Sequence, residues 1–253
     1  MQAAHSTVDL RSAPSANAPL DTQLLFGEMV LVHAHDEQWA WVESEWDGYQ
    51  GYVAFKALAE PMEPTHRVCV PRTFQYAAPD LKAQMVDCIS LASEVAIVQV
   101  HQTKNGPYAE LADGSAIYAP HLVPIEQSFP DWIATARELL GTPYLWAGRS
   151  GMGADCSAFV QLALRMANIP TLRDSDMQSA TLGEALDPDM PLNNLSTGDL
   201  VFWRGHVGLI SKPGVLLHCN ARTMSAVEEP LEEAVERIAN LYEQPTGFRR
   251  VGA

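Results

Sequence analysis

Residues 151–160 read GMGADCSAFV, and the fold turns on how this stretch is read. A loop of glycine and alanine leads to Cys156, which stands between Asp155 and Ser157, and the apolar run AFVQLALRMANI follows at once. Phe159, Leu162, Ala163 and Met166 fall along one stripe, the spacing of a helix that opens at the cysteine. In the first turn of a helix a cysteine meets unpaired N–H groups and the positive end of the helix dipole, and both stabilise a thiolate. A cysteine in a helix is otherwise a small core residue.

A thiolate nucleophile needs a base, normally histidine, and a group that orients the base. Of the eight histidines only His206 and His218 lie downstream of Cys156. HVGLIS and VLLHCN flank Lys212–Pro213–Gly214, which reads as a hairpin turn. With a three-residue loop Ser211 faces Val215, so that His218 lies opposite Gly208 and His206 opposite Asn220. The two histidines then share a face on diagonal positions roughly 5–8 Å apart. His218 can hydrogen-bond the far nitrogen of His206 and fix its tautomer, and Gly208 leaves the room for it. A two-residue loop would break this register. Cys156, His206 and His218 are also a legitimate zinc set, but the usual closely spaced ligand pair is absent and no fourth ligand is evident. The nucleophile reading calls for no metal and no cofactor.

Working outward, DWIATARELLG carries Trp132, Ile133, Ala136, Leu139 and Leu140 on one helical face and ends at Gly141. DLVFW, HVGLI and VLLHCN read as short strands, so the last segment is α+β, helices first and an antiparallel sheet after. Upstream, two stretches repeat one theme. A proline-bearing loop precedes a short apolar strand with a glutamate before it (Glu28 before MVLV, Glu94 before VAIV). An alternating strand, a turn with Asp47–Gly48 or Asp113–Gly114, and an aromatic strand follow. A period of roughly 65 residues with short strands and regular turns implies two small β-barrels of similar build. The proline-rich EPMEPT and PIEQSFP mark the boundaries, giving segments 1–62, 63–126 and 127–253.

The net charge of −15 argues against nucleic acid and against an anionic lipid surface as partners. No apolar run approaches the ~18 residues of a membrane span. The four cysteines, Cys69, Cys88, Cys156 and Cys219, are widely spaced with no CxxC pair, as expected of reduced thiols. The first twenty residues have neither a basic start nor an apolar stretch, and the expectation is a cytoplasmic protein. The oligomeric state is not legible.

PYLWAG (143–148), ADCSAFV (154–160), GDLVFW (198–203), GHVGLI (205–210) and LLHCN (216–220) occur in the order seen in NlpC-type cell-wall cysteine peptidases. The segment 130–253 resembles these papain-like enzymes. The resemblance implies Cys156 as nucleophile, His206 as general base and His218 as the orienting residue. Ala158 stands where that family usually has glycine, and Cys219 beside His218 is also unusual. With two β-modules in front, the chain looks like the γ-D-glutamyl-L-diamino acid endopeptidases, which implies a fold of two bacterial SH3-like barrels followed by an α+β papain-like domain with a central antiparallel sheet. The implied substrate is a murein peptide, L-Ala-γ-D-Glu-diamino acid, with a free N-terminus. The matching substrate-binding positions are Tyr144, Asp155, Ser157, Asp174 and Ser175, with Tyr49 as an aromatic from the first module and Glu28 as an added charge. Three of them have a plainer reading: Tyr49 as barrel packing, Asp174 as a loop acid, Asp155 as a helix cap. An exported hydrolase acting on intact sacculus and a non-catalytic binding protein are the competing readings.

Overall fold

Residues 1–252 are described by the computed structural model, which divides into two units. One joins Met1–Gln127 with Arg149–Met152; the other joins Ser128–Gly148 with the chain from Gly153 onward.

The first unit opens with five strands, β1 (Thr7–Arg11), β2 (Leu20–Leu25), β3 (Val30–His35), β4 (Trp39–Ser44) and β5 (Gln50–Ala54), in the order β2-β1-β5-β4-β3. Alternation drives them: in β4, Ala40, Val42 and Ser44 point inward while Trp39, Trp41 and Glu43 are only half covered. Val8, Leu10, Leu24, Val30, Ala40, Val42 and Val53 form the core. Five more strands follow, β6 (Arg72–Tyr76), β7 (Met85–Ser90), β8 (Ile97–Thr103), β9 (Gly106–Leu111) and β10 (Ala116–Tyr118), in the order β7-β6-β10-β9-β8. Each label of the first sheet is advanced by five, so strand order carries the repeat where sequence identity does not.

The two aspartate–glycine turns also match. Gly48 (φ 75°) and Gly114 (φ 81°) take the left-handed conformation. Asp47 accepts from the Tyr49 N–H (3.1 Å), and Asp113 accepts from the Ser115 N–H (3.0 Å). Two small β-barrels are expected from the sequence; among the described residues each ladder runs from edge to edge, and no closed barrel is found. A bulge falls in each edge strand, between Val32 and Ala34 of β3 and between Ile97 and Gln99 of β8. Bulges bend a strand and interrupt its pairing, and short strands at Gln2–Ala3, Leu58–Ala59, His66–Val68, Glu94–Val95 and Leu122–Pro124 pair among themselves instead.

Arg149 completes this unit from a distant point of the chain. It is fully buried, donating from Nε to the Gln23 carbonyl (2.6 Å), from Nη1 to Asp47 (2.9 Å) and from Nη2 to Glu28 (2.6 Å), with its guanidinium 4.3 Å from the centre of the Trp46 ring. Glu28 also accepts from the Leu25 N–H and the Ser44 hydroxyl. Its charge is therefore balanced inside the unit, and it does not stand as an accessible charge for a substrate amine.

In the second unit α1 (Trp132–Glu138) is capped by Asp131, which accepts from the Ala134 N–H, and Gly141 turns the chain at φ 78°. Helices α2 (Cys156–Met166) and α3 (Ser175–Thr181) follow. The sheet comprises β11 (Glu184–Ala185), β12 (Asp199–Trp203), β13 (His206–Lys212), β14 (Val215–Asn220), β15 (Ser225–Pro230) and β16 (Gly247–Arg250), with α4 (Leu231–Leu241) between the last two. Its order is β11-β16-β12-β13-β14-β15, antiparallel throughout. The single stripe expected of α2 understates its burial, because every residue except Arg165 is buried. It packs against α1, β13 and β14. Val201, Trp203, Ile210 and Leu216 of the sheet form a second core with Leu231, Ala234, Val235 and Ile238 of α4.

The hairpin carrying the two histidines departs from expectation in a revealing way. Its loop has two residues, Pro213–Gly214, since Lys212 pairs with Val215. A bulge between Ile210 and Lys212 takes up the extra residue, so Ile210 faces Leu216 and Leu209 faces Leu217. That is the register a three-residue loop would have produced.

Candidate active site

Asp155 caps α2, its Oδ1 accepting from the Ala158 N–H at 2.9 Å, and this cap puts Cys156 in the first turn. Cys156 is buried, with Sγ 3.9 Å from the Gly205 carbonyl and with hydrogen bonds from the Val207 and Ser157 N–H groups. Gly205 and Val207 are the two neighbours of His206, so the thiol sits against the backbone that carries the base. His206 Nε2 lies 2.8 Å from His218 Nδ1, with ring centroids 5.0 Å apart. Gly208 makes the room: a Cβ there would stand 3.1 Å from the His218 Cβ and 2.7 Å from Leu216 Cδ1. The structure thus brings together Cys156, His206 and His218.

Three further residues, missed in the sequence, extend the series. His218 Nε2 is 2.7 Å from Glu229 Oε1, and the same oxygen accepts from Arg237. Asn220 Nδ2 lies 3.1 Å from His218 Nε2, while its Oδ1 accepts from the Arg222 and Thr223 N–H groups at 3.0 Å. Glu229 falls within the sequence SAVEEP, whose alternation is a strand signal, but the choice between Glu228 and Glu229 rests on which face meets β14. Glu228 faces the other way, pairing with Arg137.

Electrostatics set the resting state. Burial, and after it the Asp155 carboxylate, pushes the Cys156 thiol up to about 12. Burial, and after it the neighbouring His218, pulls His206 down to about 3. The thiolate expected from the helix start is therefore not the resting form, because desolvation of a buried sulfur outweighs the N–H groups around it. Thiol and imidazole are therefore both neutral in the resting site. Glu229 is held down at about 2, by its hydrogen bond with His218 and then by Arg237.

The expected substrate-binding residues fall into two groups. Tyr144 is half-buried with its hydroxyl raised to about 12 by burial, and the charge of a Cys156 thiolate is the next contributor to that rise. Asp155 and Ser157 form a buried cluster with Arg173. Arg173 donates to both Asp155 oxygens (3.0 and 2.6 Å) and to the Ser157 hydroxyl (2.9 Å). The plainer reading of Asp155 as a cap holds alongside this pairing, so its charge is already compensated. Arg173 went unnoticed because a long-range ion pair leaves no periodicity. Asp174 is half-buried and makes no capping bond to α3; Ser175 is buried in that helix's first turn. Tyr49 belongs to the first unit, where it is half-buried against the core of that sheet. Cys219 also finds its account: it is buried, and its thiol donates at 3.2 Å to the carbonyl of Ala154, two residues before Cys156.

A buried thiol set against the backbone on either side of one histidine, and a second histidine that bonds the first and is backed by a carboxylate, have the design of a cysteine hydrolase. Comparison with known proteins agrees. Residues 10–58 match the bacterial dipeptidyl-peptidase Sh3 domain and residues 141–244 match the NlpC/P60 family. The gamma-D-glutamyl-L-lysine dipeptidyl-peptidase of Bacillus subtilis is 29% identical over 248 residues, covering 88% of this chain and 79% of that protein. The protein of the same name from Bacillus cereus is 30% identical over 230 residues, covering 79% and 67%. A crystal structure of an NlpC/P60 family protein from Bacillus cereus superposes with a TM-score of 0.80 at 23% identity, covering 98% of both chains. The chain belongs to the NlpC/P60 family and is a cysteine peptidase with an SH3 domain in front.

Proposed function

We propose that this peptidase hydrolyses the bond between γ-D-Glu and a diamino acid in murein peptides that carry a free N-terminal L-Ala. The observation that carries the reading is the series Cys156, His206 and His218 set beside Tyr144 and the Asp155–Ser157–Arg173 cluster. Two relatives named for a γ-D-glutamyl-L-lysine bond support it. Cys156 gives its proton to His206 as sulfur attacks the γ-glutamyl carbonyl carbon. The first-turn N–H of Cys156, which has no partner four residues back in the helix, faces the developing oxyanion. The tetrahedral carbon then expels the diamino acid amine, which takes the proton from His206, and a thioester remains. Water, deprotonated by His206, releases the dipeptide and restores the thiol.

A substrate ammonium needs a carboxylate. Asp155 and Asp174 are the carboxylates for that task, while Ser175 and Tyr144 offer hydroxyls. Peptides with a free amine arise once they have been cut from the wall, which makes recycling the role of the enzyme. The second β-module, by its shared strand order, is read as SH3-like too, within the division 1–62, 63–126 and 127–253.

The test compares L-Ala-γ-D-Glu-diaminopimelate with its N-acetylmuramyl derivative. Cleavage of the free peptide alone, abolished in a folded Cys156→Ala variant, is the expected result. Equal cleavage of both peptides would remove the free-amine requirement and favour a hydrolase of intact sacculus. Residual turnover in Cys156→Ala would remove the nucleophile.

A further inference from the structure

We infer that Glu229, anchored by Arg237, is a positioning residue for the reaction, fixing the tautomers of both histidines so that the base presents a bare nitrogen to Cys156. The Glu229 oxygen within hydrogen-bond distance of His218 Nε2 also accepts from Arg237. An ionised carboxylate can only accept, so the proton between them sits on His218 Nε2. A neutral imidazole has one N–H, and His218 Nδ1 is then an acceptor. The 2.8 Å bond to His206 must therefore be donated by His206 Nε2. This leaves the lone pair of His206 on Nδ1, the nitrogen on the side away from His218. The whole arrangement follows from one negative charge at one end.

The same charge acts during turnover. When His206 takes the thiol proton, its Nε2–H points at His218, whose Nε2–H points at Glu229. Positive charge on the imidazolium is thereby answered across two aligned hydrogen bonds. Two charged groups bear on His206: Arg237 opposes the imidazolium and Glu229 favours it. Asn220 carries no charge, and its Nδ2, 3.1 Å from His218 Nε2, finds no acceptor there once that nitrogen holds the proton shared with Glu229. Two elements hold Glu229 in place. Its strand pairs it with Leu216, two residues from His218, and α4 brings Arg237 to it while Leu231, Ala234, Val235 and Ile238 anchor that helix in the core.

The inference rests on the cysteine-peptidase chemistry of the site and not on the identity of the peptide, so its test uses readouts that need no substrate. In the wild-type protein, 15N NMR of the histidine side chains is expected to report a protonated Nε2 and bare Nδ1 on His218. The opposite tautomer overturns the inference. The rate of Cys156 alkylation by iodoacetamide is then measured against pH for Glu229→Gln, Glu229→Asp and, as control, Glu228→Gln. Loss of a hydrogen bond to a charged group is expected to slow alkylation of Glu229→Gln at neutral pH by about tenfold to a hundredfold. Glu229→Asp restores part of the rate, and Glu228→Gln leaves it unchanged. On a cleaved peptide Glu229→Gln lowers kcat with little change in KM. A folded Glu229→Gln with the wild-type alkylation profile and kcat would sink the role assigned to Glu229. Wild-type protein that alkylates as expected but ignores murein peptides would sink the substrate reading and leave Glu229 in place.

Discussion

At the level of single residues, the site is a contest between burial and hydrogen bonding, and the contest has a measurable consequence in acid. His206 titrates near 6.5 when unfolded and at about 3 in the folded site, where burial excludes its charged form. As pH falls the unfolded chain binds the proton first, so this contribution to stability is complete above about 6.5 and drains away toward 3. Glu229 acts with the same sign lower down, over the window between its ordinary 4.5 and about 2, because a depressed carboxylate stabilises only while ionised. Thermal melts of the wild type are expected to fall by roughly 5–10 °C between pH 7 and pH 4.5. His66 and His121 are also lowered by burial and contribute in the first unit. The difference between wild type and His206→Gln is therefore the diagnostic quantity, with the variant losing less over that range. Parallel curves would mean that His206 is not held neutral by its surroundings.

At the level of elements, the β13–β14 hairpin decides whether the histidines meet. The sequence pattern places both strands and the correct facing pairs, although the loop has two residues where three are expected. A bulge cannot be foreseen from alternation, since it depends on how the strand ends meet the rest of the sheet. Gly208 is legible for the right reason: a side chain there collides with Leu216 and His218. Replacing it by alanine should cost about 1–3 kcal/mol by overpacking and lower kcat disproportionately, because the crowded neighbour is the ring that orients His206. Urea denaturation together with kcat measures both. A destabilised variant with wild-type kcat would show that the pressure is relieved through Leu216 alone. The nucleophile helix was also read correctly at its start, where Asp155 caps it. Its burial on nearly every side was not, because a stripe of four apolar positions says nothing of the alanines and Gln161 that complete the packing.

At the level of the whole chain, segment boundaries drawn from proline-rich stretches follow the order of the sequence, and one buried ion cluster ignores that order. Glu28 and Asp47 lie in turns between strands of the first sheet, whereas the arginine that pairs with both is residue 149. Nothing in composition or periodicity marks this residue, since its partners lie more than a hundred positions away. Removing one partner from a buried pair leaves a charge without compensation, which costs about 3–5 kcal/mol. In Arg149→Met both carboxylates lose their counter-charge, and amide hydrogen exchange across residues 20–58 should rise while exchange in α2 and β14 stays low. A fragment ending at Gln127 lacks the same arginine and should show the same loss of protection. Adding Glu28→Gln to Arg149→Met should recover part of it, because the neutral amide no longer needs a cation. Unchanged exchange in the single variant and the fragment would mean that water reaches Glu28 and Asp47. The first unit would then be complete without its distant arginine.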